Sequence, residues 1–273
     1  MSQGSQDGAS PHSSGIYVFG SERTGPTMKK LLLLMFLSAM AFTVFCNVSY
    51  AQTCDSNHYD MLDWMTLDTA TTQHLTGTSN PLYSILPANN DFWWIKGSSG
   101  YPWDVQYYDS TYIYQWVTEL TWGDPTTFKA FANKTGLAWT FICVPKGPVG
   151  TKLASITVPS ANTAYNRYTS GCVKQPTQYL GNTVNEIWNY GNLDLGGNLG
   201  SNPDLQLSYR YGCDATYNNC TYKEVYDFAQ KYGLVRWTYY ILQNGTYVQQ
   251  NQTVHANVAS GGAPSPNFPC GLP

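Results

Sequence analysis

The 273-residue chain carries 14 Lys and Arg against 17 Asp and Glu, a formal net charge of −3, and is 11% charged but 15% aromatic. A weakly acidic chain with no Lys/Arg run lacks the footprint that nucleic acid or an anionic membrane selects, so neither partner is expected. The aromatic surplus points instead to large rings in a core, on a ligand surface, or both.

Residues 1–27 are polar and Gly/Ser-rich. Met28 then opens a secretory pattern: Lys29 and Lys30, an apolar run from Leu31 to Phe45, and Ser49-Tyr50-Ala51 as a small-x-small cleavage site. The apolar run is short for a membrane span. The expected organisation is a misplaced start or extension over 1–27, a signal peptide over 28–51, and one mature domain over 52–273. That domain is expected to be secreted or periplasmic, with no membrane partner after cleavage; Phe45 before Cys46 does not fit a lipoprotein signal. Residues 52–273 hold 11 Lys and Arg against 15 Asp and Glu, a formal charge of −4.

Six cysteines remain after the signal: Cys54, Cys143, Cys172, Cys213, Cys220 and Cys270. An even number in an exported chain reads as three disulfides. The preferred set is Cys213–Cys220 across a turn, Cys143–Cys172, and Cys54–Cys270 tying the termini. No C-x2-C pair occurs and His58, His74 and His255 are scattered, so no metal site is expected.

Along the mature chain, Met61, Trp64 and Met65 space as a short helix with Asn57 as its cap. Asn80-Pro81 and Pro87 bracket Leu82–Leu86 as an edge strand. The most aromatic stretch follows, from Phe92-Trp93-Trp94 to Trp122. Within Thr111–Thr121, Tyr112, Tyr114, Trp116 and Thr118 alternate with Ile113, Gln115, Val117 and Glu119, as in a strand. Asp124-Pro125 suits a second helical start. Leu137–Val144, Lys152–Val158 and Thr183–Tyr190 read as strands, and Gly191–Asp204 reads as a long glycine-rich loop.

From Leu205 to Val254 consecutive strands follow one another. Leu205, Leu207, Tyr209 and Tyr211 take every second place; Glu224–Gln230 and Leu234–Leu242 follow; Asn244-Gly245 supplies a type I′ turn into Tyr247–Val254. Ten or more strands with one or two short helices predict an all-β fold, a two-sheet antiparallel β-sandwich of jelly-roll or lectin-like kind.

Trp and Tyr faces stack on sugar rings while neighbouring polar groups meet the hydroxyls. Trp93, Trp94, Trp103, Tyr112 and Trp116, with Tyr107 beside them, are the candidate ligand surface, set against the alternative that most such rings are core. The function expected first is a non-catalytic secreted binder of carbohydrate or a similar neutral ligand, its partner a glycan or polysaccharide. The second is a jelly-roll glycoside hydrolase or polysaccharide lyase using Glu119 and Glu186, with Asp104 or Asp109 as substitutes; such carboxylates stand about 5 Å apart in retaining enzymes and further apart in inverting ones. Against it, Glu186 has Arg210 and Arg236 as possible ion-pair partners. The third is a structural or adhesive exported protein. No nucleotide, nicotinamide, serine-hydrolase or zinc motif is present, so no cofactor is expected. Asp194, Asn198 and Asp204 do not space as an EF-hand loop.

Overall fold

The computed structural model describes residues 54–78, 80–88, 90–97, 100–118, 128–265 and 270. The described residues from Cys54 onward form one compact unit. In chain order they give β1 (His58–Asp60), helix α1 (Met61–Met65), β2 (Gln73–Thr76), β3 (Leu82–Ala88), β4 (Asp91–Lys96), β5 (Pro102–Tyr108), β6 (Tyr112–Thr118), β7 (Phe128–Phe131), β8 (Ala138–Phe141) and β9 (Cys143–Pro145). There follow β10 (Thr151–Val158), β11 (Ala164–Thr169), β12 (Val173–Lys174), β13 (Gln178–Tyr179), β14 (Asn182–Asp194), β15 (Ser201–Cys213), β16 (Cys220–Ala229), β17 (Gly233–Gln243), β18 (Thr246–Val254) and β19 (Asn257–Ser260).

The fold is the expected all-β sandwich. The two large sheets have six strands, in the order β10-β14-β15-β16-β17-β18, and eleven, running β12-β11-β7-β6-β5-β4-β3-β2-β19 with β13 on β11 and β8 on β6; β1 and β9 form a separate two-stranded pair. Most neighbours are also consecutive in sequence, so both sheets are largely meanders. Short turns make this possible: Asn244 and Gly245 both take positive φ between β17 and β18, as the Asn-Gly dipeptide predicts.

The core lies where the aromatic rings of the two sheets meet. Trp94 on β4 is fully buried, packs 6.0 Å from Phe228 and 6.4 Å from Tyr226 on β16, and donates its indole N–H to the Met65 carbonyl at 3.0 Å. A buried indole needs such a partner, and a ring of this size dominates the packing around it.

Several expectations are corrected locally. The cap of α1 is Asp60, whose carboxylate accepts from the Leu62 N–H at 3.0 Å, because β1 occupies the residues between Asn57 and the helix. β3 is an interior strand, although it meets β2 through one residue pair only, Leu75 with Leu82. The glycine-rich stretch is mostly strand: β14 runs to Asp194, β15 starts at Ser201, and only a six-residue tip lies between them. The second helix, at Asp124-Pro125, falls outside the described residues.

Three disulfides form as expected, and Cys213–Cys220 is one of them. The other two pairs are exchanged: Cys54 joins Cys143 and Cys172 joins Cys270. The pairing of β1 with β9, Asp60 opposite Cys143, brings the N-terminal segment to β9 and decides the first partner.

Candidate functional site: an aromatic cleft between the sheets

A cleft of about 440 Å³ opens between the sheets. One wall belongs to β15, β16 and β17, with Tyr211, Tyr222, Glu224, Tyr226, Trp237 and Tyr239; the other carries Trp103, Asp104, Thr118 and Lys129. The size suits a small ligand or one or two rings of a longer one.

Strand register places these side chains. Tyr211 stands opposite Tyr222, Glu224 opposite both Tyr209 and Tyr239, and Tyr226 opposite Trp237, so all of them share the inner face of the six-stranded sheet. Their rings form a continuous belt: Tyr209 to Tyr211 at 4.9 Å, Tyr211 to Tyr222 at 5.0 Å, Tyr222 to Tyr239 at 6.4 Å and Tyr239 to Trp237 at 6.3 Å. On the facing sheet the register slips between Trp94 paired with Asp104 and Ile95 paired with Pro102, which leaves Trp103 as an extra residue on β5. A bulge re-aims a side chain. Here it lets the consecutive residues Trp103 and Asp104 both line the cleft, with Trp103 edge-on to Trp237 at 5.9 Å.

Glu224 is the polar centre of the belt. One carboxylate oxygen accepts from the Tyr226 hydroxyl at 2.6 Å and the Trp237 indole at 2.8 Å, and the other accepts from the Tyr211 hydroxyl at 3.2 Å. Three donors compensate the burial of an anion. Burial first, then the Glu224 charge, push the Tyr211 and Tyr226 phenols far above their ordinary range, so both remain protonated donors. Behind Trp103, the Lys96 ammonium lies 5.0 Å from the ring centroid; burial lowers its pKa and Asp104 opposes that shift. A smaller cavity of about 40 Å³ adjoins at Thr118, Lys129, Tyr211 and Glu224 and reaches Gln115.

The candidate ligand residues named from the sequence separate into three places. Trp103 lines the cleft. Trp94 is a core ring with no exposed surface. The others lie away from the cleft: Tyr112 packs on Phe141 at 4.9 Å, and Trp116 has the Lys134 ammonium 3.7 Å from its ring centroid, with Lys134 also reaching Asp91. Trp93 is partly buried and stands opposite Val105 on β5, one residue out of phase with the inward-facing Trp94.

Of the carboxylates, Asp104 lines the cleft, and Asp109 instead caps its own turn and accepts from Tyr114 at 2.7 Å. Glu186 lies on the opposite face of the six-stranded sheet, between Lys152 at 3.0 Å and Arg210 at 3.3 Å. Glu119 lies outside the described residues. Arg236 pairs with Asp227 at 2.6 Å. Asp194 and Asn198 serve the turn and its contact with Asn257 and Val258, and the described residues hold no cluster of three or more His, Cys, Asp or Glu fit for a metal ion.

The fold and this cleft define a disulfide-braced all-β sandwich with a carboxylate-centred aromatic site between its sheets. The chain matches no protein-family model, no curated protein and no solved structure. Its three disulfides suit an oxidising, exported environment, and no helix among the described residues is long and apolar enough to cross a membrane.

Proposed function

We propose that this is an exported, non-catalytic protein that binds a neutral carbohydrate in the Trp103–Trp237 cleft. The observation that carries the reading is Glu224 set within a belt of Tyr and Trp rings. Ring faces take the C–H surface of a sugar, while Glu224, Asp104, Thr118 and Lys129 offer acceptors and donors for its hydroxyls. Export through residues 28–51 belongs to the same proposal, and N-terminal sequencing of the secreted chain checks it. Quenching of Trp fluorescence by a panel of neutral oligosaccharides tests the binding. Saturable quenching that Trp237→Ala abolishes supports it, and a panel without response, or an unchanged Trp237→Ala protein, overturns it.

A second reading rests on one further observation: Asp104 and Glu224 reach the same cleft from facing sheets. Two carboxylates across a sugar site are the equipment of a glycosidase. Release of reducing ends from a bound oligosaccharide, lost in Glu224→Gln, would replace the binding reading with this one.

A further inference from the structure

The outer face of the six-stranded sheet carries a second set of aromatic and charged side chains, none of them in the cleft. Register puts Glu186 and Trp188 on β14, Arg210 on β15, Lys223 on β16 and Tyr240 on β17 on this face, with Lys152 beside them on β10. Arg210 and Lys223 are directly paired across neighbouring strands. Like charges in that position repel. Glu186 is shared between Lys152 and Arg210, and Lys223 has no carboxylate within ion-pair distance among the described residues. The Nε of Arg210 is buried and has no hydrogen-bond partner among them. Burial and the Arg210 guanidinium together lower the Lys223 pKa below the usual lysine range.

The rings surround these cations. Lys223 lies 5.1 Å from the centroid of Tyr240 and 5.4 Å from that of Tyr247, and Lys152 lies 5.9 Å from that of Trp188, which stacks on the exposed Tyr190 at 6.1 Å. At this end of the face Lys152 and Arg210 share Glu186 and Lys223 has no ion-pair partner among the described residues, while further along the same face Arg236 is matched by Asp227, with Asp204 near them. An anionic group between Arg210 and Lys223 would remove their repulsion, while Trp188, Tyr240 and Tyr247 offer faces for the rings that carry it.

We propose that this face binds an anionic polysaccharide, one bearing carboxylate or sulfate groups, at the Arg210–Lys223 pair. A single-stranded nucleic acid fits less well: it is held by a positively charged groove that tracks its backbone over several nucleotides, and here the directly paired like charges are confined to Arg210 and Lys223. This site is separate from the cleft and does not depend on what the cleft binds.

Affinity electrophoresis of the oxidised protein in gels containing alginate, dextran sulfate, neutral dextran or a thymidine oligonucleotide tests the proposal. Retardation is expected with alginate, dextran sulfate or both, weakening with salt, and none with neutral dextran; which gel retards distinguishes carboxylate from sulfate. Lys223→Gln is expected to weaken it about fivefold, Lys223→Arg to keep it, and the cleft variant Trp237→Ala to leave it unchanged. Lys223→Gln removes a repulsion, so its melting temperature is expected to match or exceed that of the parent, which separates lost binding from lost folding. Absence of retardation in both anionic gels, a Lys223→Gln protein that runs like the parent or melts earlier, or tighter binding to the oligonucleotide would overturn the proposal.

Discussion

Trp237 donates its indole N–H to Glu224 at 2.8 Å across two paired strands, so an aromatic wall and the carboxylate at its centre are one mechanical unit. The same carboxylate holds Tyr226 and Tyr211. Glu224→Gln keeps the shape but turns an amide N–H₂ toward donors that need an acceptor. It is expected to cost about 1–3 kcal/mol of stability and to weaken cleft binding at least tenfold, read by urea titration and by fluorescence quenching on the same sample.

Trp94 and Trp103, nine residues apart in sequence with ring centroids 6.4 Å apart, are both buried, yet only Trp103 borders the cleft. Trp94→Ala is expected to cost about 3–5 kcal/mol, because its ring fills the centre of the core. Trp103→Ala removes a cleft wall, so at a temperature where both variants remain folded it is the one expected to lose ligand. Thermal melts paired with ligand titrations check the contrast.

Asp204 is 3% exposed, and burial, then the neighbouring Asp227 carboxylate, push its pKa up to about 8 from 3.8. Folding thus favours its protonated form. The stability this contributes is complete below about pH 4 and is lost as pH rises to about 8. Asp204→Asn supplies a permanently neutral group of the same shape. It is expected to be more stable than the parent at pH 7 and no different below pH 4, a difference that urea midpoints across this range will show.

His255 titrates in the opposite sense. Burial holds it down to about 4 from 6.5, with Lys96 adding to the effect while the Asn80 carbonyl opposes it. The neutral form is the folded one, so its contribution is present above pH 6.5 and lost as pH falls through 4. His255→Gln is expected to reduce the loss of stability between pH 6.5 and 4, measured as the change in urea midpoint over that interval.

The disulfides differ in the length of chain they close: 89 residues for Cys54–Cys143, 98 for Cys172–Cys270 and 7 for Cys213–Cys220. Chain entropy in the unfolded state makes the two long closures worth about 4–5 kcal/mol each and the short one about 2. Replacing each pair by serines and comparing melting temperatures should therefore find Cys213–Cys220 the least costly to lose.

The alternation of Tyr209 and Tyr211, the run Glu224–Gln230 and the Asn244-Gly245 turn made the four consecutive strands β15 to β18 legible, because strand period and hairpin chemistry are local. Tyr222, Glu224 and Tyr226 already alternate onto one face, as do Trp237 and Tyr239. Facing strands joined by a short connection bring these sets together, which was the available signal for the cleft. Local pattern could not say that the bulge at Trp103 would turn that ring beside Asp104, or that Trp94 would meet Tyr226 and Phe228 while Trp116 received Lys134.

The sequence by itself determined the all-β class, the even set of cysteines and the surplus of rings, since composition, period and turn residues act over a few positions. Tertiary structure alone decided which cysteines meet, which rings are core and which line a cleft, and that Lys152, Arg210 and Lys223, scattered over 72 residues of a chain without a basic run, share one face. The physical reason is the same in each case: these outcomes depend on strand register and on which sheet face meets the other, and both are set by contacts between segments far apart in the chain.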